Sequence, residues 1–61
     1  MDEARRQRPL RILVVDDHEV VRQGLVALLG RRDAFEVVAE AGTVAEAIAG
    51  AARFEPDVVV M

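Results

Sequence analysis

Residues 11–18 read RILVVDDH. Four apolar residues, Ile12-Leu13-Val14-Val15, run without a polar interruption and stop at two adjacent carboxylates, Asp16 and Asp17. A continuous apolar run of this length, β-branched or leucine throughout, suits a strand buried on both faces, as in a parallel sheet. Downstream, DHEVVRQGLVALLG (residues 17–30) changes to helical period. Val21, Leu25, Leu28 and Leu29 fall at i, i+4, i+7 and i+8, and Glu19 lies near the positive helix N-terminus. Gly24 interrupts the helix interior, which suggests close packing of helix on sheet. Gly30 is expected to close the helix at the C′ position, with Arg31 and Arg32 near its negative end.

The same alternation repeats. FEVVAEAG (residues 35–42) carries Val37, Val38 and Ala39 as a second short strand. Thr43 followed by Glu46 has the spacing of a capping box and marks a second helix, with Ala45, Ile48, Ala49 and Ala52 at i, i+3, i+4 and i+7. Pro56 ends it, and Asp57 to Met61 opens a third apolar strand. The predicted order is β-α-β-α-β: an α/β fold with a parallel three-stranded sheet and right-handed crossovers. In such sheets the ligand crevice lies beyond the carboxyl ends of the strands, where the strand order reverses. Asp16 and Asp17 stand at the carboxyl end of the first strand and therefore at the expected site.

Two like charges about 5 Å apart repel by roughly 3 kcal/mol at an effective dielectric near 20. A divalent cation removes that cost, and hard oxygen donors without sulfur suit Mg²⁺. The dipeptide alone is also read more plainly, with Asp17 as a helix N-cap and Asp16 as a solvated loop acid; for an isolated Asp-Asp that is the commoner case. His18, alone in the chain, is read as a solvent-facing polar residue and receives no role. Asp57 stands at the amino end of the third strand, away from the acid pair.

Composition narrows the function classes. The chain has 61 residues, 52% apolar and 31% charged, a globular balance. It contains no cysteine, which excludes disulfides and thiolate metal sites and fits a reducing cytoplasm. Residues 1–10 carry three arginines against two acids, a net +1, and are read as a tail; RRQR within it reads as a solvated leader more readily than as an interaction patch. From Arg11 onward five arginines face nine acids, a net −4. That sign opposes direct contact with nucleic acid. No apolar run reaches the ~20 residues that span a bilayer, and the N-terminus lacks a signal-peptide core, so no membrane association and a cytoplasmic location are expected.

Taken in order, ILVVDDH, VRQGLVALL, VVAEAGTVAEAI and PDVVVM make residues 11–61 resemble the first half of a receiver domain from a two-component response regulator, a partial flavodoxin-like fold. The wording DDHEVVRQGLVALL is similar to the NarL/FixJ subfamily, whose receivers are usually followed by a LuxR-type helix-turn-helix. The resemblance implies a 2-1-3 start to the strand order and Mg²⁺ on Asp16 and Asp17, with Asp17 as direct ligand and Asp16 acting through water. It implies a sensor histidine kinase as phosphodonor and DNA contact only through a C-terminal output domain outside these residues. The family's acceptor aspartate follows the position held here by Met61, so the 61-residue chain by itself is expected not to accept phosphate and not to act as an enzyme. Two other readings compete. A haloacid-dehalogenase-type phosphatase expects an acid two residues after its nucleophile and then a small hydroxyl residue, and Asp17-His18-Glu19-Val20 lacks the hydroxyl. A self-associating piece is the other, because an uncharged VVVM edge is a template for association.

Overall fold

The structure, a computed structural model, describes residues 8–61. Most of the expected N-terminal tail, residues 1–7, lies outside the described residues. Strand β1 (Leu10–Val15), helix α1 (Glu19–Gly30), strand β2 (Phe35–Ala41), helix α2 (Val44–Phe54) and strand β3 (Val58–Val60) follow one another. The strands form one sheet of order β2-β1-β3, and both pairings are parallel. This is the α/β architecture that the sequence pattern predicts.

β1 is central because its residues tolerate neighbours on every side. Ile12, Leu13 and Val14 are at most 3% exposed, and with Ala41 they form the buried core among the described residues. β1 meets β3 from Ile12↔Val58 to Val14↔Val60. Its register with β2 shifts between Ile12 and Leu13, which pair with Val37 and Ala39, so Val38 is an extra residue in the ladder. β2 extends beyond the expected Val37–Ala39 at both ends. Glu36 and Glu40 fit within it because β2 is an edge strand and both are exposed.

From β1 to β2 the chain steps one way across the sheet, and from β2 to β3 it steps back past β1. Right-handed crossovers of opposite sense put α1 and α2 on opposite faces. The reversal lies at the carboxyl end of β1, beside the acid pair.

Both helices correct the sequence reading in detail. On α1 the half-buried positions are Arg22, Leu25, Val26 and Leu29, whereas Val21 and Leu28 are exposed. On α2 the expected face of Ala45, Ile48, Ala49 and Ala52 is exposed, and Ala47, Gly50, Ala51 and Phe54 are half-buried instead. That is a shift of two residues, roughly 200° around the helix. The cause is that VAEAIAGAARF is apolar or small almost all round, so period alone does not choose a face. Gly50 does: a Cβ there would stand 3.5 Å from Leu13 Cδ1 and 3.7 Å from Ala39 Cβ, so its absence lets the helix lie close to the sheet. Gly24, expected to play that part, faces open space. Gly30 is the last residue of α1 rather than a left-handed cap, and Arg31, the C-cap, is right-handed.

α2 is capped at both ends. Thr43 Oγ1 accepts from the Glu46 N–H at 3.1 Å, and Glu46 Oε1 accepts from the Gly42 N–H at 2.8 Å, one residue earlier than in the usual box. At the other end Glu55 takes the left-handed conformation, φ 47°, and donates its N–H to Ala51 O at 3.0 Å. A residue with a side chain is strained there, and Pro56 stops the helix from continuing past it.

Among the described residues neither helix packs on β3, which leaves Val58 and Val59 partly exposed. The core is therefore concentrated at β1. Leu13→Ala is expected to cost about 2–5 kcal/mol, enough to unfold so small a unit, whereas Ile48→Ala on the outer face of α2 should shift stability by less than about 0.5 kcal/mol. Thermal melts of the two variants check both the core and the corrected helix face.

Candidate functional site: the acid pair at the carboxyl end of β1

The β1 ladder runs one residue past the strand. The Asp16 N–H donates to Ala41 O at 3.0 Å, and its carbonyl accepts from Arg22 Nη1 at 2.8 Å. The carboxylate then turns back along the chain. Asp16 Oδ1 accepts from the His18 N–H at 2.7 Å, an Asx turn, and lies 2.9 Å from His18 Nδ1. The turn lifts the chain off the sheet and starts α1 at Glu19.

These contacts correct the plainer reading of Asp16-Asp17 in both of its details. His18, not Asp17, is the N-cap residue, and its side chain makes no capping bond. Asp16 is not a solvated loop acid either: its side chain is 22% exposed, against 80% for Asp17. His18 faces solvent as expected, but Nδ1 stands 2.9 Å from one oxygen of each acid. Only the contact with Asp16 has hydrogen-bond geometry; the contact with Asp17 is one of charge. One ligand atom from each of Asp16, Asp17 and His18 falls within 4.8 Å of the others.

Protonation follows from the same contacts. The backbone N–H of His18 and then its imidazole hold the Asp16 carboxyl below its ordinary value, against desolvation and with lesser help from the His18 and Arg22 charges. Conversely the hydrogen bond to Asp16, then the charges of Asp17 and Asp16, push the His18 imidazole up.

Around the acids lies an open depression of about 510 Å³, walled by the β1–α1 loop, by Gly42, Thr43 and Val44, and by Met61. It is the crevice expected at the carboxyl ends of the strands. Asp57 is at the opposite end of the sheet, where its N–H donates to Arg11 O at 2.8 Å and its Oδ2 accepts from Arg11 N–H at 2.9 Å. It closes the start of the β1–β3 pairing and stands apart from the acid pair, as the sequence reading has it.

Arg22 escaped the sequence reading. Its side chain is 19% exposed on the sheet-facing side of α1, where it reaches both Asp16 O and Glu40 Oε1, the latter at 3.2 Å. The signal available was a cation among the apolar positions of an amphipathic helix.

Comparison with known proteins places these features in a family. The model of the response regulator receiver domain matches residues 12–61. The DNA-binding transcriptional activator DevR/DosR of Mycobacterium tuberculosis is 54% identical over 52 residues, covering 85% of this chain and 24% of that protein. The transcriptional regulatory protein LiaR of Bacillus subtilis is 42% identical over 85% of this chain and 25% of its own length. A nitrate/nitrite response regulator protein homolog of Haemophilus influenzae is 38% identical over 90% of this chain and 26% of its own. The chain thus spans about a quarter of the length of the curated relatives it matches. No solved structure matches it.

The imidazole contacts generate a titration. Without added metal, His18 is expected to titrate above 6.5, and Asp16→Asn should bring the midpoint down toward that value. Because its folded-state value is raised, the stabilisation from protonated His18 is complete below its unfolded value and fades as pH rises through the folded one. Proton NMR of the single imidazole follows this directly.

Proposed function

Because this chain belongs to the response regulator receiver family and is of the NarL/FixJ type, we propose that Asp16 and Asp17 are the Mg²⁺-holding acids of a phosphorylation pocket. Membership itself implies two-component phosphorelay signalling, and the relatives named as transcriptional regulators put that signalling in the control of transcription. The observation that carries the proposal is the convergence of both acids at the carboxyl end of the central strand, beside the reversal in strand order.

The donor set suits the ion: two hard carboxylates, no sulfur, and an open approach from solvent. Asp17, the more exposed acid, is the direct ligand. Asp16, with one oxygen engaged by the His18 N–H, acts through water. When bound, Mg²⁺ supplies positive charge against the oxygens of a transferring phosphoryl group. Asp16 and Asp17 orient that charge, and the wall formed by Gly42 and Thr43 limits the approach to the crevice.

Met61 lies on the rim of the same depression. The acceptor aspartate belongs, on this proposal, to the residue after it in the full polypeptide, so residues 11–61 contribute the first half of the pocket and residues 1–10 a tail. The phosphodonor is a sensor histidine kinase. DNA is bound through a C-terminal output domain, consistent with the net −4 of residues 11–61. The location on this reading is cytoplasmic, as befits a receiver-family regulator. Self-association through the exposed edge of β3 is part of the same reading.

Two experiments test these statements. With a small acyl phosphate and Mg²⁺, the full polypeptide should incorporate phosphate, and Asp17→Asn should slow this by about 100-fold or more, since several kcal/mol of charge stabilisation are lost. Unchanged labelling of the Asp16→Asn, Asp17→Asn double variant would refute the metal assignment. Separately, sedimentation of the 61-residue chain should show self-association that a lysine at the exposed edge, Val59→Lys, suppresses; a cooperative melt independent of concentration would show a stable monomer and overturn that part.

A further inference from the structure

We propose that Arg22 is a positioning residue for the acid pair: held by Glu40 and seated against Gly42, its guanidinium clamps the Asp16 carbonyl and so sets where the Asp17 carboxylate stands. The inference rests on the metal-site reading above and adds to it a residue outside the acids.

The geometry is that of a double restraint on one residue. The Asp16 N–H is tied to Ala41 O at 3.0 Å, and the Asp16 carbonyl is tied to Arg22 Nη1 at 2.8 Å. The Asp16 carbonyl and the Asp17 nitrogen share a rigid peptide plane, so fixing the carbonyl fixes the direction in which Asp17 leaves the strand. Asp17 has little else to orient it, since its side chain is 80% exposed and meets His18 through charge. Arg22 is itself anchored twice. Its backbone N–H donates to His18 O at 2.9 Å in the first turn of α1, and Nε donates to Glu40 Oε1 at 3.2 Å. A guanidinium can satisfy both acceptors at once because its donors form a rigid fork; an ammonium cannot match that geometry. Gly42 completes the seat, for a Cβ there would stand 2.9 Å from Nη1.

The sign of the effect separates positioning from charge. A fixed positive charge near a cation site repels the cation, so loss of Arg22 through Coulomb effects alone would tighten Mg²⁺ binding. Loss of the clamp weakens it. Groups that orient metal ligands typically contribute 10–100-fold in affinity.

The test is titration of the full polypeptide with Mg²⁺ alone, followed by calorimetry and by the amide signals of Asp17 and His18. Arg22→Gln, and Arg22→Lys with the charge kept but the fork lost, should each weaken binding by about tenfold. Gly42→Ala leaves Arg22 in the sequence but pushes the guanidinium from its seat, and should weaken binding in the same direction; it carries the test if Arg22→Gln does not fold by circular dichroism. Glu40→Gln keeps the Asp16 clamp and should cost less than about fivefold, as befits an exposed pair. Unchanged or tighter Mg²⁺ binding in folded Arg22→Gln overturns the proposal while leaving the acids as ligands. Wild-type affinity in Asp17→Asn removes the metal site itself, and the positioning role with it.

Discussion

Burial of β1 on all sides is the constraint on which the rest of the structure depends. Ile12, Leu13 and Val14 have β2 on one flank, β3 on the other and a helix over each face. A strand so placed has no freedom of register without exposing its apolar residues, so its tip is a fixed point. The acid pair stands at that tip. The acids inherit their position from the core, and the position is as firm as the core that sets it.

Two carboxylates at the mouth of an apolar sheet are a liability, and the local chain manages it in three ways. Asp16 turns its carboxylate onto the His18 N–H, which favours its charged form. The imidazole of His18 then stands against both acids at 2.9 Å. Arg22 takes the Asp16 carbonyl and ties it across to Glu40 on β2. None of these contacts neutralises Asp17 by a hydrogen bond of good geometry. The acid left least satisfied is the one most open to solvent.

The order of elements was legible because it rests on strong local signals. ILVV can hardly be anything but a buried strand, and Thr43 with Glu46 marks the start of α2 to the residue. The helix faces were less legible. Val20, Val21, Val26 and Leu28 surround α1 with apolar choices, and α2 is almost uniformly small or apolar, so the 3.6-residue period fits several stripes. Tertiary contact picks one of them, through Arg22 on α1 and Gly50 on α2. At the site, the location of Asp16 and Asp17 followed from strand alternation alone. Their local roles did not: the Asx turn is local but is one of several conformations open to an Asp-Asp-His turn, and the seat of Arg22 depends on Glu40 of β2 lying alongside, a long-range fact that the dipeptide does not carry. The place of His18 is legible only in part for a different reason: its neighbours Asp16 and Asp17 are adjacent in sequence, but the sequence does not state that the ring turns back onto both of them.

β3 is the weak member of the sheet, and its weakness and the openness of the site have one cause. It pairs with β1 over three residues and, among the described residues, carries no helix, so Val58 and Val59 remain partly exposed. The same flank of the sheet forms the open side of the depression, where Met61 is 91% exposed beside the acids. Any element that covered the free edge of β3 would also stand next to the crevice and exclude water from it. Excluding water strengthens every charge interaction in the pocket, because the effective dielectric falls. Covering β3 and shielding the acid pair from water are thus not separate events in this architecture: the surface beside β3 is also the surface beside the acids.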